Sequence, residues 1–472
     1  MSKSVRFFIP ASCLIYAVMT FGYSSISPRG YADDPAGPNI VLMLADDLRR
    51  GDLTVYGAEG VRTPNLQRLA DSGMTFDRAF VASPSCAPSR GALLTGLMPA
   101  RNGAEANHTY PRDDVAMLTS KLRAAGYEIA AFGKIAHNVM DERYDVDFYS
   151  KPRVGLAKNV RKYLITRKSD KPLCLMIGDR RPHVPWRPEM IYDPEKVRLP
   201  EFLIDTKETR EHWARYLSDV TGLDAEVGEI MAIAKEQFGD NYIFVHSSDH
   251  GAQWPFGKWN LYENGINVPL IVSWPGNIAP GSRTDAMISW VDILPTLIDV
   301  AGGELPQGLD GKPFTDVLLG KTDSFRDEIY ATHSGDGNMN VYPIRSVRTG
   351  RFKFILNLRP DCYHSNHSDI LRKDGAGAYW DSWDEAAKTD PAAAAIIAKY
   401  YARPAEEFYD LEKDPTEQHN LIDNPEYKTQ VDEMRSRLSK WMKEQGDTRS
   451  VFNTPYPLSG PTPHEFQEES QK

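Results

Sequence analysis

Asn39-Ile40-Val41-Leu42-Met43-Leu44-Ala45-Asp46-Asp47 is an apolar run that stops abruptly at two carboxylates. Such a run, continuous rather than alternating, reads as a central strand of a parallel sheet covered on both faces. Working outward, Met74 to Val81, Tyr127 to Phe132, Pro172 to Gly178, Asn241 to Ser247 and Val268 to Trp274 also read as strands. Helical patterns separate them: Thr63-Pro64-Asn65 through Ala70, Val115 to Ala125, Leu156 to Thr166, Glu208 to Phe238 with a break near Gly222, and Trp290 to Ala301. Strands alternating with helices over about 300 residues predict an α/β fold with a large, mostly parallel sheet flanked by helices. Functional groups in such folds gather beyond the carboxyl ends of strands, where Asp46-Asp47 and Asp249-His250 both fall.

Past residue 325 the pattern changes. Glu328 to Ala331, Pro343 to Asn357 with a turn at Thr349-Gly350, and Phe408 to Leu411 read as antiparallel strands, and Tyr427 to Gln445 as an amphipathic closing helix. This predicts a smaller C-terminal α+β subdomain. The expected division is 1–32 as a signal peptide, 38–324 as the main domain, 325–450 as the subdomain and 451–472 as a tail. Lys3 and Arg6 precede the apolar stretch Phe7 to Phe21, which is short for a membrane span and interrupted by Pro10, and Gly30-Tyr31-Ala32 offers a small-residue cleavage site. We therefore expect an exported protein, periplasmic or secreted, with no membrane association after cleavage. The net charge of −10, with no dense basic run, argues against nucleic acid as a partner. Of four cysteines, Cys174 falls inside a predicted buried strand, so no disulfide framework is expected.

A second stretch carries the chemistry: Ser83-Pro84-Ser85-Cys86-Ala87-Pro88-Ser89-Arg90-Gly91-Ala92-Leu93-Leu94-Thr95-Gly96. Pro88 suits the first turn of a helix that Gly96 stops, which sets Cys86 just before a helix N-terminus, where unpaired N–H groups favour anions. Arg90, about one turn on, adds a fixed charge suited to an oxyanion. Paired carboxylates converging from Asp46, Asp47 and Asp249 suit a hard cation with oxygen ligands, calcium rather than zinc.

Cys-x-Pro-Ser-Arg followed by a small-Leu-Leu-Thr-Gly run resembles the signature of the type I sulfatases of the alkaline phosphatase superfamily. The resemblance extends from Asn39 to about Gly446 and implies an alkaline-phosphatase-like sandwich. It implies that Cys86 is converted to formylglycine by a formylglycine-generating or anaerobic sulfatase-maturating enzyme, and that the hydrated aldehyde is the nucleophile. It implies a calcium site made by Asp46, Asp47, residue 86, Asp249 and His250. Lys134 and Lys258 match lysines that stabilise the sulfate, and His137 the base that takes a proton from the second hydroxyl of the hydrate. Where relatives carry His-x-Pro-His this chain reads Arg180-Arg181-Pro182-His183. Either His183 protonates the leaving group or Arg180 stabilises the leaving oxygen, since arginine is no acid near neutrality; we favour His183.

Two branches of the family share the likeness. Gly257 to Tyr262, Tyr342 to Val347 and Phe408 to Leu421 look like heparan N-sulfatases, whereas Pro182 to Pro188, the Lys134/His137 spacing and Asp249-His250 look like iduronate-2-sulfatases. A sulfated, glycosaminoglycan-like saccharide is the substrate this implies, with Asn107, His108, Arg180, His333, Asp336, Asn340 and Arg345 as candidate contacts. The competing expectations are a phosphatase or phosphonate hydrolase on the same fold, or a non-catalytic binder of sulfated glycan.

Overall fold

The computed structural model describes Met1 and residues 37–137, 144–152, 155–374 and 377–470. The expected signal segment lies outside these residues. Among them, nine strands make one sheet: β1 (Asn39–Ala45), β2 (Met74–Phe80), β3 (Glu128–Gly133), β4 (Phe148–Ser150), β5 (Leu173–Gly178), β6 (Tyr242–Ser248), β7 (Asn267–Ser273), β8 (Ser282–Thr284) and β9 (Ile288–Ser289). Their order is β4-β3-β5-β1-β6-β7-β2-β8, with β9 also paired to β2. As expected, the first run is central, and Ile40 to Ala45 are wholly buried. Each of its larger aliphatic side chains contributes about 1.5–3 kcal/mol by leaving water.

The pairings are parallel except at β7, which runs antiparallel to both β6 and β2. The β6–β7 connection holds only a one-turn helix, Glu263–Ile266, and turns back at the same edge instead of crossing a face of the sheet. Register then decides where the chemistry sits. Ala45 pairs with Ser248, Leu44 with Gly178, and Gly133 with Gly178, so β3, β5, β1 and β6 end level. Lys134, Asp179, Asp46 and Asp249 are the next residues, all on one edge.

Two of those strands end in glycine for a steric reason. A Cβ on Gly178 would lie 2.0 Å from the Lys134 carbonyl oxygen. Gly178→Ala should therefore destabilise by about 1–3 kcal/mol; the expected readout is a lower melting temperature together with lost activity, because Lys134 must shift.

The long helix Lys207–Phe238 is continuous, and no break occurs at Gly222. The glycine there serves close approach, since a Cβ would lie 3.0 Å from Arg187 Nη2 and 3.2 Å from Arg181 Nη1. The helix expected from Val115 is only Thr119–Ala124, and the one expected from Trp290 opens as a 3-10 turn before Ile293–Val300.

A second sheet of four antiparallel strands comprises β10 (Ile329–His333), β11 (Ile344–Arg348), β12 (Phe352–Asn357) and β13 (Glu406–Asp410), in that order. Val431, Met434, Leu438 and Met442 of helix Lys428–Gln445 pack on Val347, Phe354 and Phe408 from this sheet. Between β12 and β13 lie three helices not anticipated from sequence, His367–Leu371, Trp380–Ala387 and Pro391–Tyr401, and Trp380, Trp383 and Tyr400 of the last two are buried. No helix among the described residues is long and apolar enough to cross a membrane.

Candidate active site

As β1 ends, Asp47 takes a left-handed conformation (φ 67°), a region that Asp tolerates better than most residues. The bend brings two consecutive carboxylates to one centre. Ligand-type atoms of Asp46, Asp47, Cys86 and His250 all lie within 4.8 Å of one another. Cys86 is the first residue of helix Cys86–Thr95, all ten residues of which are buried. Its Sγ is 3.3 Å from His250 Nε2 and 3.7 Å from Asp46 Oδ1. His250 Nδ1 meets the Gly251 carbonyl, which leaves Nε2 for the cluster.

Cations close the site from two sides. Lys134 Nζ donates to both oxygens of Asp46 (2.8 and 2.7 Å) and to Cys86 Sγ (3.3 Å). Lys258 Nζ donates to both oxygens of Asp47 at 3.0 Å. Arg90 is used differently from the expectation. Its Nε donates to Asp249 Oδ2 (2.9 Å), its Nη1 to the Lys134 and Ile135 carbonyls, and its Nη2 pairs with Asp46 Oδ1 at 3.5 Å. The guanidinium is thus a brace beneath the acids rather than a free anion clamp. Asp249 adjoins the cluster, with Oδ1 accepting from the Asp47 N–H and Oδ2 lying 3.6 Å from His250 Nε2.

The charges perturb one another strongly. Burial alone would raise the Cys86 thiol, but Lys134, Lys258 and His250 outweigh it and hold the thiol well below its ordinary pKa. Burial opposes protonation of His250, yet Asp249, Cys86 and Asp47 raise it to about 9. Burial pushes Asp249 up to about 6, against Arg90 and His250. Asp46 stays below the carboxylate range because Lys134 overcomes its burial.

His137 stands beside Cys86 and contributes to lowering its pKa, while burial lowers that of the imidazole itself. His183 Nε2 lies 3.9 Å from Asp47 Oδ2, and Arg180 is exposed at the end of β5. The other candidate substrate contacts are placed otherwise. Asn107 accepts from the Ala87 N–H (3.0 Å) and donates to Asp336 (2.9 Å), bracing the start of the helix that carries Cys86. Asp336 also accepts from Trp259 Nε1 (2.8 Å) and pairs with His108. His333, Asn340 and Arg345 are fully buried. His333 Nε2 meets Asn340 Oδ1 at 2.8 Å, and Asn340 Nδ2 donates to the Ser365 carbonyl at 2.7 Å.

Arg345 is spent on Asp447 and the His333 and Ile344 carbonyls. With both partners 1% exposed, removing one leaves a buried uncompensated charge. Arg345→Ala is expected to cost about 3–5 kcal/mol in unfolding free energy, with KM unchanged for the folded fraction.

Sequence reasoning missed two groups here. Trp259, left-handed at φ 66°, supports Asp336, and the His367 ring lies 5.1 Å from its ring. Trp259 falls in the Gly257 to Tyr262 stretch quoted above, where only Lys258 was singled out, and His367 sits in no quoted motif.

The sheet and the buried acid, thiol and lysine cluster at its edge define a hydrolase of the alkaline-phosphatase-like fold. A sulfatase family model matches residues 38–303, and a model of the N-sulphoglucosamine sulphohydrolase C-terminal region matches 250–366. Over 443 residues the chain is 31% identical to an ulvan-active sulfatase of Formosa agariphila, covering 90% of this chain and 84% of that one. It is 27% identical over 501 residues to human N-sulphoglucosamine sulphohydrolase, covering 93% and 94%. A solved 2-O GAG sulfatase superposes with a TM-score of 0.68 at 21% identity, covering 91% of this chain and 99% of that one. The chain belongs to the sulfatase family, whose members hydrolyse sulfuric esters.

Proposed function

We propose that this sulfatase removes sulfate from a saccharide, using a formylglycine made from Cys86 and a calcium ion held by Asp46, Asp47, His250 and Asp249. The observation that carries the reading is the convergence of Cys86 with two carboxylates and an imidazole inside 4.8 Å, flanked by two lysines. The donor set fits a hard divalent cation. Charge agrees. Asp46, Asp47 and Asp249 balance Arg90, Lys134 and Lys258, so a divalent ion adds two positive charges. A sulfate monoester brings one negative charge, and the oxygen it leaves on develops a second.

As a hydrate, formylglycine supplies one hydroxyl to attack sulfur and a second whose deprotonation releases sulfate. Calcium supplies charge that polarises the sulfate oxygens. Lys134 and Lys258, already aimed at the cluster, orient those oxygens and stabilise charge as it develops. Arg90 holds Asp46 and Asp249 in place from below. His137, beside residue 86, takes the hydroxyl proton, and His183 delivers a proton toward the leaving oxygen. Arg180, exposed at the strand end, contacts the rest of the saccharide in this reading. The relatives acting on ulvan, on N-sulphoglucosamine and on a 2-O-sulfated glycosaminoglycan support a sulfated sugar as the class. The basic and apolar start of the chain supports export to where such polymers are met.

The test is sulfate release from a panel of O- and N-sulfated mono- and disaccharides, by protein coexpressed with a maturating enzyme. Turnover of at least one sugar is expected; none across the panel, with residue 86 converted, would refute the saccharide reading.

A further inference from the structure

A hydrogen-bonded file leads away from residue 86. His137 Nε2 lies 2.8 Å from His108 Nδ1, and His108 Nε2 lies 3.2 Å from Asp336 Oδ1. Asp336 Oδ2 is fixed by two N–H donors, Asn107 Nδ2 at 2.9 Å and Trp259 Nε1 at 2.8 Å. His108 holds this position in a left-handed conformation (φ 64°), and the Asn107 N–H donates to the Gly335 carbonyl at 2.8 Å. With Nε2 taken by His108, the buried Nδ1 is the nitrogen left for Cys86, with which the imidazole interacts.

We propose that Asp336 and His108 are positioning residues that set the tautomer of His137, leaving its Nδ1 lone pair free as the base toward residue 86. The logic is donor counting. A carboxylate can only accept, so His108 carries its proton on Nε2. Asp336 raises the pKa of His108, so the count applies above the pH at which His108 has lost its second proton; it then offers a bare Nδ1, which accepts only if His137 carries its proton on Nε2. His137 Nδ1 is left without hydrogen, the form that can take a proton. One acceptor, two rings away, thereby fixes which edge of the catalytic imidazole is basic. The inference deepens the reading above, on which it depends for giving residue 86 a proton to lose.

Asp336→Asn tests it without a change of shape. The new amide keeps its oxygen toward the two donors, Asn107 and Trp259, and turns its NH2 toward His108. His108 Nε2 must then accept, its proton moves to Nδ1, and His137 is forced to carry a proton on the edge facing residue 86. Wrong-tautomer chains of this kind cost about 10⁴-fold in kcat with little loss of geometry.

Long-range nitrogen–proton NMR on histidine-labelled protein reads the tautomers directly, in a Cys86→Ala background that removes the thiolate acceptor beside His137, with no metal added. Above the pH at which His108 titrates, followed in the same spectra, both rings should show the Nε2–H form with Asp336 unsubstituted and the Nδ1–H form in Asp336→Asn. In matured enzyme the variant should lose about 10³–10⁴-fold in kcat, with KM within about threefold and the melting temperature near that of the unsubstituted chain. A proton on His137 Nδ1 with Asp336 unsubstituted would overturn the proposal, and so would an Asp336→Asn enzyme with unchanged kcat. If matured, unsubstituted enzyme releases no sulfate from any substrate, the sulfatase chemistry itself has failed; the tautomer measurement, made in the Cys86→Ala background, reports separately.

Discussion

Replacing Cys86 with alanine should abolish sulfate release, by about 10⁴-fold or more in kcat, while leaving a folded protein. The variant stays folded because the helix Cys86–Thr95 is anchored without the thiol. Ser89 Oγ donates to the Asp249 carbonyl at 2.6 Å, Arg90 braces two acids, and the Ala87 N–H is held by Asn107. Losing Sγ removes an anion that Lys134, Lys258 and His250 stabilise, which costs some stability, but Lys134 and Lys258 keep Asp46 and Asp47 as partners, so the melting temperature should fall without loss of the fold. The unmodified cysteine protein is the informative companion. A thiol could attack sulfur once but has no second hydroxyl with which to expel sulfate, so it should not turn over. Because Cys86 is 1% exposed, conversion has to precede closure of the fold. Intact mass should therefore show conversion on coexpression with a maturating enzyme and none when folded protein is treated afterwards. Wild-type turnover by Cys86→Ala would end the account of the nucleophile.

What could be read from sequence divides along a physical line. β1, β5 and β6 are apolar enough to announce themselves, and the acids that end them follow from register alone. Asp46 meets Asp249 because Ala45 pairs with Ser248. The thiol, Asp46-Asp47 and Asp249-His250 could be singled out from the residues themselves, whereas Lys134 and Lys258 were named only through the family resemblance. Arg90 was legible as a residue of the site but not as a brace, because its spacing shows that it points back and not which groups it meets there. Asn107, Asp336 and Trp259 converge across as many as 229 positions, on loops with no periodicity to place them. His333, Asn340 and Arg345 were plausible contacts as polar residues near β10 and β11. Only packing shows that they are consumed by one another, by Ser365 and by Asp447. The antiparallel course of β7 was hidden for a related reason, since its direction depends on a short return that leaves the strand's own composition unchanged.

Withdrawing calcium should separate activity from folding. The site's three carboxylates already face three cations, with Lys134 on Asp46, Lys258 on Asp47 and Arg90 on Asp249. In a protein whose acids were otherwise unpaired, removing the ion would leave several buried negative charges in close repulsion, and unfolding would follow. Here the lysines neutralise what the ion would have neutralised. The stability lost should be no more than the ion's own binding term, about 2.7 kcal/mol if it was present at a hundred times its dissociation constant. For a chain of this size that is a fall of roughly 3 °C in melting temperature, with the chain still folded. Activity should fall much further, by about 10²–10³-fold, because without the ion the two lysines are drawn onto the aspartates and away from the sulfate oxygens. Chelation followed by calorimetry and a sulfate assay, then calcium added back, measures both halves. Full recovery is expected on re-addition. Global unfolding on chelation would show that the lysines do not carry the balance assigned to them, and undiminished turnover would remove the ion from the chemistry.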